Sequence, residues 1–139
     1  MTTAMHWSSR YIGLPWESGA DGPDAYNCWN FVRMIQRVHY GRDVPPIPVD
    51  EADMLACVRA FDRHPERRRW PLVQHPAEGD MVLLTQHSRP SHIGVWLDAN
   101  RGGALHCQIP DGVVFHTRLQ LADQGWAIEG AYRFGGDNG

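Results

Sequence analysis

Cys28 stands in the stretch PDAYNCWNFVRMIQRVHYG, residues 23–41, between Asn27 and Trp29, where a loop gives way to a helical pattern. The free N–H groups and positive dipole end of a helix start stabilise an anion. A thiol placed there ionises more readily, and the same N–H groups can hold a developing oxyanion. The plain alternative is a small buried residue, the usual lot of a cysteine. A nucleophile also needs a base. Of the eight histidines, His92 opens a predicted strand in SHIGVWLD and His106 lies on the next one, in ALHCQ. Neighbouring antiparallel strands can set both rings on one face. His92 would then take the thiol proton, and His106 would hold the His92 ring in tautomer and orientation. His6, His39, His64, His75, His87 and His116 fall near predicted ends, loops or outer faces and read as ordinary surface residues.

The remaining candidates read as structural. Strand alternation sends Cys107 to the face opposite His106, into the core, and Cys57 falls on the buried stripe of a second helix. Asp24, four residues before Cys28, could meet a substrate amine but reads better as a turn residue. A zinc site using Cys28, His92 and His106 is conceivable, yet close Cys or His pairs at zinc spacing are missing, so no metal and no cofactor is expected. Three cysteines at wide spacing make no disulfide framework.

The elements that must carry these residues divide the chain in two. Residues 1–14 suggest a short helix ending at Gly13, and WESGADGPDAYN (16–27) is a loop. A helix is predicted from Cys28 to Tyr40, with Phe31, Met34, Ile35 and Val38 on its buried stripe and Gly41 as its stop. Asp50 is the predicted N-cap of a second helix running to Phe61, with Met54, Leu55 and Val58 inward. Strands are predicted at 80–85, 92–98, 103–109, 112–119 and 127–134, with DANRGG and IPDG as hairpin turns. Helices first and a meander after predict an α+β fold: N-terminal helices packed on one face of a C-terminal antiparallel sheet of about five strands.

Composition narrows the class. The chain has 139 residues, enough for one domain, residues 1–139, around one core. A hydrophobic share of 42% and a charged share of 21% exclude wholesale disorder. A net charge of −3 gives no basic field to call for nucleic acid, although RHPERRRW (63–70) is locally basic and reads as a solvated loop or a contact for an acidic partner protein. No window is long and apolar enough for a membrane span. The N-terminus has no signal-peptide pattern, so synthesis and folding in a cytosol are expected.

Three blocks together resemble the NlpC family of cell-wall cysteine peptidases. YIGLPWESGADGPDAYNCWNFVRMIQRVHYG is similar to its catalytic-cysteine block: an aromatic-Gly-Pro-aromatic lead-in, a Gly-containing loop, and a Cys opening a helix that ends near Tyr-Gly. EGDMVLLTQHSRPSHIGVWLD is similar to its second block, and GALHCQIPDGVVFHTRL to its third. The resemblance covers roughly residues 11–134. It implies a papain-like α+β core, Cys28 as nucleophile, His92 as general base and acid, and His106 as orienting residue. It also implies cleavage of amide bonds in peptidoglycan stem peptides, often between D-glutamate and diaminopimelate, without a cofactor. Trp16, Asn27, Trp29 and Ser91 are the accompanying substrate or oxyanion candidates. Pro15-Trp16 and Cys28-Trp29 most resemble the bacteriophage tail members, which implies a place in the virion tail tip beside other tail-tip proteins. The chain departs from the family at Asn27, usually Asp, and at Asn30, usually Gly. Those departures motivate a second reading, a tail-tip assembly protein that keeps the fold with weak or no hydrolysis.

Overall fold

The computed structural model describes residues 6–47, 54–86 and 89–135, with the side chains of residues 54, 55 and 89–91 excepted. A 3-10 turn, Trp7–Arg10, comes first, in place of the helix expected within residues 1–14. Helix α1 then spans Cys28–Tyr40 and helix α2 Met54–Arg63. The expected Asp50 cap lies outside the described residues.

The local reasons for α1 are plain. The Asn27 side chain accepts from the Asn30 N–H at 2.7 Å, capping the first turn. Gly41 ends the helix in the left-handed region, φ 66°. Phe31, Met34 and Ile35 are buried as the spacing predicts, but Val38 is 56% exposed. The last turn is covered on another side, where Trp7 stacks on His39 at 3.8 Å. In α2, Val58 faces inward as expected, with Cys57 and Phe61; the side chains of Met54 and Leu55 are outside the description.

Six strands form one antiparallel sheet, one more than the five expected. They are β1 (Leu72–Val73), β2 (Met81–Gln86), β3 (Arg89–Leu97), β4 (Gly103–Gln108), β5 (Gly112–Thr117) and β6 (Ala127–Tyr132), in the order β1-β6-β2-β3-β4-β5. The added strand β1 pairs with β6 through two residues, too short to leave a sequence signal. The end of the fourth predicted strand (112–119) is helical: Arg118–Asp123 forms α3, opened by a capping box between Thr117 and Gln120.

The sheet buries both faces. Met81, Leu83, Ile93, Val95, Leu97, Leu105 and Cys107 pack with Phe31, Val32 and Ile35 of α1 and with Phe61 of α2. Val82, Leu84, Trp96, Ala104 and Ala131 pack on the other side with Leu121 of α3. The two N-terminal helices therefore share one face, as predicted, while the short α3 covers part of the other. The basic run folds into a 3-10 turn, Pro65–Arg69, capped by His64. Within it Arg67 pairs with Asp62 at 3.0 Å and lies over the Tyr132 ring.

Candidate functional site

Cys28 is the first residue of α1, and the hydrogen-bond ledger of that helix end shows what surrounds it. Four N–H groups at a helix start lack partners within the helix. That of Asn30 goes to the Asn27 side chain and that of Phe31 to the Asn27 carbonyl at 3.0 Å. The N–H groups of Cys28 and Trp29 remain directed at the Cys28 thiol, where they favour the thiolate. They are the natural donors for an oxyanion. The loop before them is pinned in place: Tyr26 N–H donates to Pro15 O, Glu17 N–H to Tyr26 O, and Asn27 N–H to Ala20 O. The lead-in is docked on β5, with Gly13 N–H on Val113 O and Val113 N–H on Leu14 O, both at 2.9 Å. Gly112 permits this approach, since a Cβ there would meet Leu14 O at 2.1 Å.

The histidines come from the sheet. The ladder between β3 and β4 runs Leu97↔Gly103, Trp96↔Ala104, Val95↔Leu105 and stops. Continued by one step it sets His106 opposite Gly94, diagonal to His92 and on the same face. The rings meet there: His92 Nε2 lies 2.8 Å from His106 Nδ1. Gly94 makes room, because a Cβ on it would stand 3.0 Å from His106 Cβ.

Where that ladder stops, a cavity of about 490 Å³ opens, and Cys28 and His92 both line it. Trp16, Gln86, Cys107, Gln108, Asp111 and Trp126 stand around them. The Trp126 and His92 ring centroids are 5.5 Å apart. Since His106 engages His92 Nε2, Nδ1 is the nitrogen left for the cysteine.

Burial sets the charge state. It pushes the Cys28 thiol up to about 12, against the pull of the two backbone N–H groups. It also pushes the His92 imidazole down to about 4, helped by His116, and drives His106 well below the ordinary value. The easier ionisation expected of a helix-start thiol is therefore overridden: thiol and imidazole are both neutral at rest.

The other candidates divide. Trp16 lines the cavity. Trp29 does not: its ring is 3% exposed, its Nε1–H donates to Pro45 O at 2.9 Å, and it packs edge-on against Phe61. One residue past Cys28, the helix turns its side chain into the core, while its backbone N–H is directed at the Cys28 thiol. Asn27 acts as the helix cap. Asn30 donates to Ala20 O and accepts from Arg33, which ties the loop to the helix. Ser91 carries a side chain outside the description. Asp24 sits in an exposed bend away from the cavity lining. Cys107 is core, as expected, with its thiol donating to Tyr26 O at 3.3 Å, yet it also reaches the cavity wall. Among the described residues no group of three His, Cys, Asp or Glu is placed to hold a metal ion.

Sequence reading missed His116, the β4–β5 hairpin wall of Gln108, Ile109 and Asp111, and the Gln124–Trp126 segment after α3. His116 is buried, not on the surface, and its Nδ1 lies 3.0 Å from His106 Nε2. The signal was available: a tight IPDG turn pairs Gln108 with Gly112, which places His116 on the His106 face.

N-terminal helices on an antiparallel sheet, with a cysteine at a helix head and a sheet histidine lining one cavity, fit a papain-like α+β protein. The NlpC/P60 family model matches residues 13–126, most of the chain. The chain belongs to the NlpC/P60 family, a family of cysteine peptidases and amidases of the cell wall. None of the curated proteins matches the sequence significantly. Among the described residues no helix is long and apolar enough to cross a membrane.

Proposed function

We propose that the chain is a cysteine peptidase that hydrolyses amide bonds in peptidoglycan stem peptides, with Cys28 as nucleophile, His92 as base and acid, and His106 as the residue that orients His92. One observation carries this reading: Cys28 and His92 line the same cavity while His106 occupies the far nitrogen of the His92 ring. The Cys28 proton passes to His92 Nδ1 as Sγ bonds to the substrate carbonyl carbon, and the backbone N–H groups of Cys28 and Trp29 receive the oxyanion. His92 then gives that proton to the leaving amine as the C–N bond breaks. Water, deprotonated by His92, releases the acid and the thiol. Because both groups are neutral at rest, proton transfer accompanies attack and does not precede it. Among the described residues Asp111 is the acidic side chain of the cavity lining, and it suits the ammonium end of a zwitterionic stem peptide.

The same reading places the protein at a bacteriophage tail tip, made in the bacterial cytoplasm and carried in the virion beside other tail-tip proteins. The Pro15-Trp16 lead-in and the Cys28-Trp29 pair support it by their resemblance to tail members of the family. Peptidoglycan fragments incubated with purified protein test the chemistry. Wild type releases new amine ends, and Cys28→Ala lowers the rate by roughly 10³-fold or more. No cleavage by wild type, or equal cleavage by the variant, rejects it.

A further inference from the structure

The hydrogen bonds that begin at His92 do not end at His106. His106 Nε2 meets His116 Nδ1 at 3.0 Å, and His116 Nε2 meets the side-chain amide of Gln124 at 3.1 Å. Four side chains, from β3, β4, β5 and the end of α3, form one line. The sheet register builds it, since His116 stands opposite Ala104, as His106 stands opposite Gly94. Each ring lies diagonal to the next across a small residue. The rings are buried, whereas Gln124 is exposed and lines the cavity.

Burial keeps all three imidazoles neutral at pH 7. The charged neighbour that bears on His116 is Asp111, and its opposing influence is the smaller one. A neutral imidazole has one N–H and one bare nitrogen. Every link in the line needs one donor and one acceptor, so the direction of one link fixes the rest. Two arrangements satisfy all of them. In the first, all three rings carry their proton on Nε2 and His116 donates to the Gln124 amide oxygen. His92 Nδ1 is then bare and can take the Cys28 proton. In the second, all three carry it on Nδ1 and the Gln124 amide N–H donates to His116. His92 Nδ1 is then already protonated and cannot act as base. The Gln124 amide meets His116 Nε2 at 3.1 Å: with its oxygen there the line takes the first arrangement, with its nitrogen there the second, and a half-turn of the amide separates the two.

We propose that Gln124 is a positioning residue whose amide selects, through His116 and His106, the tautomer of His92. This rests on the reading of His92 as the base. A half-turn of the amide reverses the line. The His106 Nδ1 proton passes to His92 Nε2 and the His116 Nδ1 proton to His106 Nε2. Solvent supplies one proton to His116 Nε2 and receives one from His92 Nδ1, so net charge is unchanged. The Gln124 backbone is steadied meanwhile, its carbonyl accepting from Gln86 Nε2 at 3.2 Å. Gln86 and Gln124 both line the cavity, so a bound peptide meets the residue that sets the switch.

Nitrogen NMR on the full chain with labelled histidine tells which nitrogen of each ring is protonated. Wild type is expected to show one shared tautomer on His92, His106 and His116, with the proton on Nε2, the arrangement that leaves His92 Nδ1 bare for the Cys28 proton. Gln124→Met, an exposed change of similar shape, should give mixed tautomers on His92 and lower kcat by about tenfold with KM nearly unchanged, the scale of a lost outer-sphere orienting contact. His116→Phe should do the same, and the double variant should be no worse than His116→Phe alone. If His116→Phe does not fold, the Gln124→Met spectrum decides. Different tautomers on the three wild-type rings, or an unchanged His92 tautomer in Gln124→Met, would overturn the proposal. If wild type cleaves nothing while its tautomers move together, the peptidase reading fails and the coupling stands; cleavage with independent tautomers has the reverse meaning.

Discussion

At the scale of single residues the decisive contest is between a helix end and burial. The N–H groups of Cys28 and Trp29 favour a thiolate, but removal of Cys28 from water costs the charged form more, and its thiol is pushed up to about 12. His92 is pushed the other way, down to about 4, because its charged form is the cation. Cys28 is therefore a thiol over the whole neutral range, and in the proposed mechanism it loses its proton only as a substrate carbonyl is attacked. Alkylation by iodoacetamide, read at Cys28 by mass spectrometry, should be slow at pH 7 and still rising beyond pH 9. A plateau below pH 8 would show a preformed thiolate and contradict this account. The acid limb of kcat/KM should fall near pH 4, where His92 charges, and not near the 6.5 of a free imidazole. Trp29 carries a second lesson at this scale. It stands next to Cys28 in the chain, yet one helical step of about 100° separates a site residue from a core residue.

At the scale of elements, the site is built from register. Gly94 stands opposite His106, and a methyl group there would lie 3.0 Å from both His106 Cβ and Leu105 O. Gly94→Ala should displace His106 by a few tenths of an ångström, cost about 1–3 kcal/mol in stability by overpacking, and lower kcat roughly tenfold by loosening the His92 contact. An unchanged kcat in a destabilised variant would show that the pairing tolerates the shift. The same register shows what the sequence could and could not reveal. The face shared by His92 and His106 was legible, because two short strands on either side of a tight turn leave little freedom. The Cys28–Tyr40 helix was legible from its cap, stop and apolar spacing. His116 was not, because a histidine near a strand end carries no local mark of burial, and its place on the His106 face follows only from the register that pairs Gln108 with Gly112. Helix α3 escaped because six residues hold too few turns for a period, although Thr117 and Gln120 spell its capping box. Val38 matched the apolar stripe but lies on a last turn that Trp7 covers from elsewhere. The cavity walls escaped for a more general reason: Asp111, Gln124 and Trp126 are brought to Cys28 by the closing of the sheet, and nothing local marks them.

For the whole molecule, the line of histidines ties three strands together at a cost that depends on pH. His92, His106 and His116 sit in the sheet as neutral rings, each with its folded pKa below the ordinary 6.5. His39, covered by Trp7, is shifted in the same direction. Above pH 6.5 the unfolded chain also holds these rings neutral, so they leave stability unchanged. Below pH 6.5 the unfolded chain takes up protons that the folded chain refuses, and stability falls. For His92 the loss continues to about pH 4, where the folded ring charges too; over that window it amounts to roughly 3 kcal/mol. His106 and His116 add losses of the same sign. For a domain whose total stability is on the order of 5–15 kcal/mol, the sum is large. Urea unfolding at several pH values should therefore show free energy declining between pH 6.5 and 4, with His92 contributing roughly 1 kcal/mol per pH unit and His106 and His116 adding to the decline in the same direction. His92→Gln should flatten that decline by about one proton's worth, even if its stability at pH 7.5 is lower. An equally steep decline in the variant would mean that His92 is accessible to protons in the folded state. The low folded pKa of His92, and with it the neutral resting imidazole of the catalytic reading, would then be wrong.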